Sequence, residues 1–275
     1  MYRDNATSTS SSLEQLQNIL DQFPRVVVAF SGGVDSAFLA YMANATLGSD
    51  RSLAVTAVSP SLAATEREEA STLAKEWNLR WQTVHSLEME SAEYQKNDLE
   101  RCAYCKGALM DILEPLAKRQ GATVLLGVNV DDLGDHRPGQ RVAAQRGARF
   151  PLLEAGFTKA EIREQSRFLG LRTWDKPAGP CLASRVPYGT PVNISTLSTV
   201  ERAETGMRQL GFGELRVRHY GDTARIEVPV ERLAEVVAMR EAVLSVVTAA
   251  GYKYATLDLA GFRSGNLNDI HGSSS

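Results

Sequence analysis

Ser31-Gly32-Gly33-Val34-Asp35-Ser36 is the stretch of sequence on which the fold depends. It follows a continuous β-branched apolar run at residues 25–30, which is typical of a fully buried parallel strand. The paired glycines permit a tight turn with outward-facing N–H groups, and the helix-patterned residues that follow add the positive end of a helix dipole. These features predict a socket for a phosphate-like anion, with hydroxyl donors from Ser31 and Ser36. Asp35 would repel that anion, so its carboxylate is expected to hold Mg²⁺ or a ligand amine.

This loop differs from the nucleotide loop of kinases and GTPases, because the chain contains no G-x-x-x-x-G-K-S/T motif. S-G-G-x-D-S after a buried strand instead resembles the pyrophosphate loop of the PP-loop ATP pyrophosphatases. Those enzymes cleave ATP between its α and β phosphates, adenylate a substrate and hold the leaving pyrophosphate in the loop. The resemblance implies ATP and Mg²⁺ bound by Ser31, Gly32, Gly33, Asp35 and Ser36. An ordinary Gly/Ser turn is the alternative, but the six matching positions lie in the right strand–loop–helix context.

The composition is that of a chain able to bury a sizeable core, with 275 residues, 43% of them hydrophobic. The net charge of -3 argues against a broad basic surface, so nucleic acid is not an expected partner. No apolar run approaches the ~20 residues of a membrane helix, so no membrane partner is expected either. The Ser/Thr-rich start lacks the apolar core of a secretory signal. We therefore expect a cytoplasmic protein whose three cysteines serve chemistry rather than disulfides.

Strand and helix patterns alternate over the first part of the chain. The predicted strands are residues 25–30, 53–58, 80–84 and 123–127. This alternation predicts an α/β fold with a doubly wound parallel sheet, and ligands bind such sheets beyond the carboxyl ends of the strands.

The pattern changes after about residue 180. Alternating runs at 214–220 and 223–228 flank Gly221-Asp222, which predicts a hairpin within a smaller α+β domain. The predicted organisation is therefore a flexible tail, a PP-loop domain and a C-terminal α+β domain, at residues 1–12, 13–180 and 181–270.

The segment that follows the fourth predicted strand, from Gly127 to Gly139, is acidic. Asp131, Asp132 and Asp135 are expected at the same sheet edge as the first loop, where they could hold Mg²⁺ on the phosphates or simply cap a helix. D-x-R-P-G after this strand recurs in PP-loop enzymes, and this resemblance favours a cofactor site at Gly127, Asp135 and Arg137.

Two of the cysteines, Cys102 and Cys105, lie three residues apart at the start of a helical stretch, so both sulfurs are expected on one helix face. The helix N-terminus, Arg101 and Lys106 favour thiolates there. Cys181 lies in a segment rich in Pro and Gly. Four interpretations remain open: buried structural thiols, a redox pair with a reactive Cys181, a zinc site lacking a fourth ligand, or a 4Fe-4S cluster with one iron open.

Four motifs together, the pyrophosphate loop, R-C-x-Y-C-K, P-C-L-A-S-R-x-P-Y-G and L-D-L-x-G-F-R-S-G, resemble the LarE family of ATP-dependent sulfur transferases of nickel-pincer nucleotide biosynthesis. The match runs from about residue 13 to 269. The sacrificial type of this family lacks the Cys pair and donates sulfur from one cysteine. Because this chain has both the pair and Cys181, it resembles the type in which Cys102, Cys105 and Cys181 hold a 4Fe-4S cluster carrying a sulfide.

The resemblance implies pyridinium biscarboxylic acid mononucleotide as a small-molecule substrate, sulfide or another sulfur donor, and a homo-oligomer such as a hexamer. It implies catalytic roles for Asp35, Lys106 and the three cysteines. Arg216 and Arg218 alternate on one face of a strand, where they could clamp a phosphate or only be solvated. The family resemblance favours a substrate site at Ser184, Arg185, Glu204, Arg216, Arg218 and Arg263.

Three other functions fit parts of the sequence. A tRNA thiolase of the PP-loop family shares the loop and the cysteines, but should carry a basic face or an RNA-binding module. An amidating synthetase of the NAD synthetase kind would leave the cysteines unexplained, and a non-enzymatic nucleotide-binding module would bind ATP without producing pyrophosphate.

Overall fold

The computed structural model describes residues 4–134, 138–177, 179 and 181–263. Within them the chain forms two compact units. The first contains residues 4–59, 64–88 and 100–179, and the second contains residues 60–63, 89–99 and 181–263. The short segments 60–63 and 89–99 thus join the second unit although they precede residue 180. The predicted domain boundaries and the flexibility of residues 1–12 stay predictions.

Both units are built from helices and strands, and in the first unit helices and strands alternate along the chain. The helices are α1 (Asp4–Asp21), α2 (Val34–Leu47), α3 (Ala64–Glu76), α4 (Ala92–Gln95), α5 (Arg101–Gln120), α6 (Pro138–Gln145), α7 (Pro151–Glu154), α8 (Lys159–Phe168), α9 (Ile194–Gln209), α10 (Leu233–Ala238) and α11 (Arg240–Ala250). The strands are β1 (Val26–Ala29), β2 (Ser52–Val58), β3 (Trp81–His85), β4 (Thr123–Leu125), β5 (Arg216–Tyr220), β6 (Thr223–Glu227) and β7 (Tyr254–Leu257). Each predicted strand of the first unit overlaps an observed one.

The sheet of the first unit has the order β3-β2-β1-β4, and all its strands are parallel. Side chains of β1 alternate between two cores. Val26 and Val28 pack with residues of α1, α2 and α3, whereas Val27 packs with residues of α5. Helices therefore cover both faces, which confirms the predicted doubly wound α/β fold. The strand order reverses between β1 and β4, so the loop after β1 lies at a topological switch point.

The second unit contains the predicted smaller sheet. β5 and β6 form an antiparallel hairpin whose turn includes Gly221 with a φ of 60°, and β7 adds to β6 in parallel. The core of this unit includes Val217 and Ile226 from the sheet, with Met207 of α9 and Val247 of α11. Among all described residues, no helix is both long and apolar enough to cross a membrane.

Candidate active site

Two serines, Ser31 and Ser36, hydrogen-bond to each other across the loop between β1 and α2. The hydroxyls of Ser31 and Ser36 lie 2.9 Å apart, the Ser31 amide donates to the Ser36 hydroxyl at 3.2 Å, and that hydroxyl donates to the Gly33 carbonyl at 3.1 Å. Gly32 adopts a φ of 74°, a left-handed conformation that glycine tolerates without strain. Gly33 is the N-cap of α2 and has no side chain to satisfy the first helical N–H groups. The loop therefore presents a formed helix N-terminus suited to an anion.

The backbone beyond β4 runs directly against this loop at Gly127. A Cβ atom added at Gly127 would lie 2.8 Å from the Ser36 nitrogen and 2.9 Å from the Asp35 carbonyl carbon. Since both neighbours are backbone atoms, a larger residue would push β4 away from the start of α2. Gly127 thus joins the two loops at the switch point by allowing a close approach.

We expect Gly127→Ala to lower the free energy of unfolding by about 1–3 kcal/mol, the usual cost of overpacking. Gly107→Ala is the matched control, because a Cβ at this position within α5 meets nothing within 4 Å. This control should gain about 0.5–1 kcal/mol from the better helix propensity of alanine. Urea unfolding of both variants measures the difference, and equal changes would contradict the close-approach role.

Asp35 has a side-chain partner that the sequence did not reveal. The Asp35 Oδ2 lies 2.6 Å from the Nζ of Lys159, and the Asn129 side-chain amide donates to the other carboxylate oxygen at 3.3 Å. Lys159 is the first residue of α8, whose start is fixed by a capping box between Thr158 and Glu161. The sequence signal that could have located Lys159 is the T-x-x-E pattern of residues 158–161, because this pattern predicts that a helix begins there.

The acidic segment after β4 is used mainly to shape the turn. Asp131 accepts a hydrogen bond from the Lys159 amide at 2.7 Å, and Asp132 accepts one from the Asn129 amide at 3.0 Å. These contacts match the helix-capping alternative for the two aspartates, and the magnesium alternative stays a prediction. Asp135 and Arg137, which the sequence favours for cofactor binding, lie outside the described residues.

The Cys pair lies where the sequence predicts it, in the first two turns of α5. Cys102 is exposed and Cys105 is half-buried, while Cys181 is exposed just before a short 3₁₀-helix, Leu182–Arg185. None of the three forms a disulfide. Two exposed thiols exclude the interpretation of three buried structural cysteines.

The backbone near the Cys pair is tightly packed. A Cβ at Gly139 of α6 would lie 2.8 Å from the Cys102 carbonyl oxygen and 3.0 Å from the Cβ of Lys106. This contact fixes the start of α5, including Lys106, against α6. Within the described part of the chain, no three His, Cys, Asp or Glu side chains lie together in a way that could hold a metal ion.

In the second unit the buried carboxylate of Glu204 accepts hydrogen bonds from two arginines. Glu204 is 1% exposed, and both of its oxygens accept from the guanidinium of Arg185, at 2.8 and 3.1 Å. Arg208 and the Val217 amide donate to the same carboxylate at 2.9 and 3.1 Å. Burial alone would raise the pKa of Glu204, but these donors hold it below its ordinary value. Glu204 is therefore an ionised anchor that orients Arg185.

The two strand arginines are buried rather than solvated. Arg218 donates twice to Glu227, at 3.0 and 2.9 Å, and once to the carbonyl of Ser184 at 2.8 Å. Arg216 stacks over the ring of Phe262 at 4.9 Å and donates to the Leu215 carbonyl. The solvated alternative for these two arginines is therefore wrong.

Positive charge accumulates around Arg216. Burial, together with the charges of Arg185, Arg218 and Arg208, lowers the pKa of Arg216 to about 10, although the charge of Glu204 opposes this shift. A bound anion would stabilise this group of cations. The structure thus brings together Ser184, Arg185, Glu204, Arg216 and Arg218, while Arg263 is exposed beside Phe262 in the sequence.

Comparisons with known proteins agree with this architecture. The family model described as NAD synthase matches residues 10–110, which include the loop between β1 and α2. An uncharacterised protein of Synechocystis sp. is 42% identical over 264 residues, covering 94% of this chain and 98% of that protein. An uncharacterised protein of Methanocaldococcus jannaschii is 26% identical over 250 residues, covering 90% and 95%.

The third relative has an assigned activity. The pyridinium-3,5-bisthiocarboxylic acid mononucleotide synthase of Lactiplantibacillus plantarum is 38% identical over 252 residues, which cover 91% of each chain. The similarity therefore includes both the loop of the first unit and the arginine-rich site of the second. This chain is an enzyme of the PP-loop kind and belongs to the LarE family of pyridinium-3,5-bisthiocarboxylic acid mononucleotide synthases.

Proposed function

We propose that this enzyme uses MgATP to adenylate the carboxylates of pyridinium-3,5-biscarboxylic acid mononucleotide and converts them to thiocarboxylates. The observation that carries the proposal is the formed anion loop at the switch point, with Asp35 and Lys159 beside it, in a chain of this family. A carboxylate resists nucleophiles because its oxygen is a poor leaving group. Transfer of AMP to that oxygen gives a mixed anhydride, from which a sulfur nucleophile can displace AMP.

The residues of the first unit account for the adenylation step. The N–H groups at the start of α2 would bind the leaving pyrophosphate, on which negative charge develops. Asp35 would bind the Mg²⁺ of the MgATP substrate. When Asp35 binds Mg²⁺, its carboxylate can no longer pair as closely with the ammonium group of Lys159. Lys159 would then turn that group toward a phosphate oxygen. Lys106 would neutralise charge near the cysteines.

The residues of the second unit account for binding of the nucleotide substrate. Arg216 and Arg218 would bind its phosphate, and the charge distribution around Arg216 supports this assignment. Glu204 would position Arg185, and Ser184 and Arg263 complete the proposed substrate site. A homo-oligomer stays a prediction from the family resemblance.

We expect Arg216→Ala or Arg218→Ala to weaken binding of the mononucleotide by about 1.5–3 kcal/mol, the scale of a charge-assisted hydrogen bond. Affinity for ATP should change much less, because the loop lies in the other unit. Isothermal titration of each ligand measures both effects, with Arg240→Ala on the exposed surface of α11 as the control. Equal weakening of both ligands would contradict a substrate-phosphate site at these arginines.

The three cysteines are free thiols, and the family resemblance implies that they hold a 4Fe-4S cluster. We propose that Cys102, Cys105 and Cys181 hold such a cluster. When bound through three protein thiolates, it supplies one open iron position that can carry sulfide.

The test of the whole proposal is a single anaerobic turnover experiment. Enzyme, MgATP, the biscarboxylic acid mononucleotide and sulfide should yield AMP, pyrophosphate and a sulfur-containing mononucleotide detected by mass spectrometry. Replacing sulfide with ammonia examines the amidating alternative, and replacing the mononucleotide with tRNA examines the thiolase alternative. A product with ammonia or tRNA, but none with the mononucleotide and sulfide, would overturn the proposal.

A further inference from the structure

Lys176 lies far from the pyrophosphate loop in the sequence, but its side chain contacts the loop in the first unit. Its Nζ donates to the Gly32 carbonyl at 3.1 Å and to one carboxylate oxygen each of Glu66 and Glu69 at 2.7 Å. These three contacts use all three ammonium hydrogens. The Lys176 side chain is only 12% exposed, so the contacts are shielded from water more than an ordinary surface ion pair.

The position of Lys176 is itself fixed from two sides. The guanidinium of Arg163 on α8 donates to the carbonyls of Trp174 and Lys176, at 2.7 and 2.9 Å. Glu66 and Glu69 lie three residues apart on α3, so their carboxylates extend from the same face of that helix. Lys176 therefore has little freedom to move relative to the loop.

The contact with Gly32 determines the direction of a neighbouring amide. In a planar trans peptide the C=O and the following N–H point in opposite directions. When Lys176 holds the Gly32 carbonyl, the Gly33 N–H must point away from Lys176, toward the Ser31 hydroxyl 3.4 Å away. Gly32 has a φ of 74°, and neither Gly32 nor Gly33 has a Cβ, so no side chain of these two residues restricts rotation of the peptide between them.

We propose that Lys176 is a positioning residue: it directs the Gly33 amide toward the Ser31 side of the loop, where the pyrophosphate anion would replace the long 3.4 Å contact with the Ser31 hydroxyl. This inference rests on the proposed function, because it assigns the loop to pyrophosphate. Lys176 itself faces the carbonyl side of the loop and two carboxylates, so it acts through the peptide.

The experiment compares three variants. Lys176→Met removes the tether, but it also leaves two carboxylates without their ammonium partner. The triple variant Lys176→Met, Glu66→Gln, Glu69→Gln removes that excess charge while still lacking the tether. Arg172→Met is the matched control, since Arg172 also pairs with carboxylates of α3, those of Glu69 and Glu76, but is 42% exposed.

Binding of magnesium pyrophosphate, measured by isothermal titration, and the steady-state kinetics of pyrophosphate formation are the two readouts. We expect both variants of Lys176 to bind pyrophosphate about tenfold more weakly and to lose roughly 10²-fold in kcat, the cost of a small misplacement of a binding group. The KM for MgATP should rise less, because the loop contacts matter most as charge develops on the leaving group. Arg172→Met should keep wild-type affinity and kcat.

The outcomes separate this inference from the proposed function. Wild-type affinity and kcat in the folded triple variant would overturn the role of Lys176 and leave it a purely structural ion pair. A wild-type enzyme that binds pyrophosphate but does not form it from ATP would overturn the proposed function, and the affinities of the variants would still decide the role of Lys176. A wild type that does not bind pyrophosphate would overturn both.

Discussion

Asp35→Ala is expected to lower the rate of pyrophosphate formation by roughly 10²–10³-fold, the effect of removing a preorganised charged group from an active site. The variant should remain folded, because the Asp35 side chain is 21% exposed and its partner Lys159 is 36% exposed. The physical reason is that Mg²⁺ loses a proposed ligand and Lys159 loses the carboxylate that holds it beside the loop. Coupled pyrophosphate release and thermal denaturation measure the two properties.

Asp50→Ala serves as the control, because Asp50 is an exposed aspartate at the other end of α2. Lys159→Ala should lower the rate to a similar extent, and the double variant should be little worse than either single one if the two residues act as a unit. Unchanged pyrophosphate formation by the Asp35→Ala variant would contradict the proposal that this loop, with Asp35, binds MgATP and the leaving pyrophosphate.

Each single replacement of Cys102, Cys105 or Cys181 by alanine is expected to remove most of the bound iron. If the three thiolates hold one 4Fe-4S cluster, any replacement leaves only two protein ligands. Sulfur transfer should therefore fall equally in the three variants. Adenylation should survive, since its proposed residues lie on the loop of the first unit. Iron analysis of anaerobically prepared protein and assays of both half-reactions measure these effects.

Other uses of the cysteines give different patterns. A sacrificial cysteine predicts that Cys181→Ala alone abolishes transfer and that the wild type ends with dehydroalanine at position 181. A redox pair predicts a disulfide between Cys102 and Cys105 and no iron. Finding dehydroalanine at position 181 in an active, iron-free enzyme would disprove the cluster proposal.

Much of the fold could be predicted because its signals are local. From Val26 to Phe30 the run before Ser31 contains no polar residue, which favours a strand covered on both faces, and β1 is such a strand. Gly221-Asp222 between two alternating runs likewise determined the β5–β6 hairpin. The inclusion of residues 89–99 in the second unit had no comparable signal, since it depends on contacts made about ninety residues later, such as those of Asn97 with Val186 and Pro187.

The candidate site was predictable to the extent that its residues lie in short motifs. The sequence identified Asp35, but its partner Lys159 is 124 residues away and no spacing rule relates them. The sequence also placed Arg216 and Arg218 on one strand face, yet the burial of that face depends on other elements, such as Glu227, which pairs with Arg218, and Phe262, over which Arg216 stacks. Charge and periodicity cannot distinguish a solvated arginine from one neutralised by a buried carboxylate.

The hydrogen bonds between Ser31 and Ser36 have a consequence for nucleotide capture. Because the hydroxyls and the Ser31 amide already bind one another, the conformational entropy of ordering the loop is lost during folding and not when the ligand arrives. Association should then be limited by diffusion and charge steering rather than by loop closure. Amide hydrogen exchange at Ser31 should accordingly be slow in the ligand-free enzyme and change little when nucleotide is added.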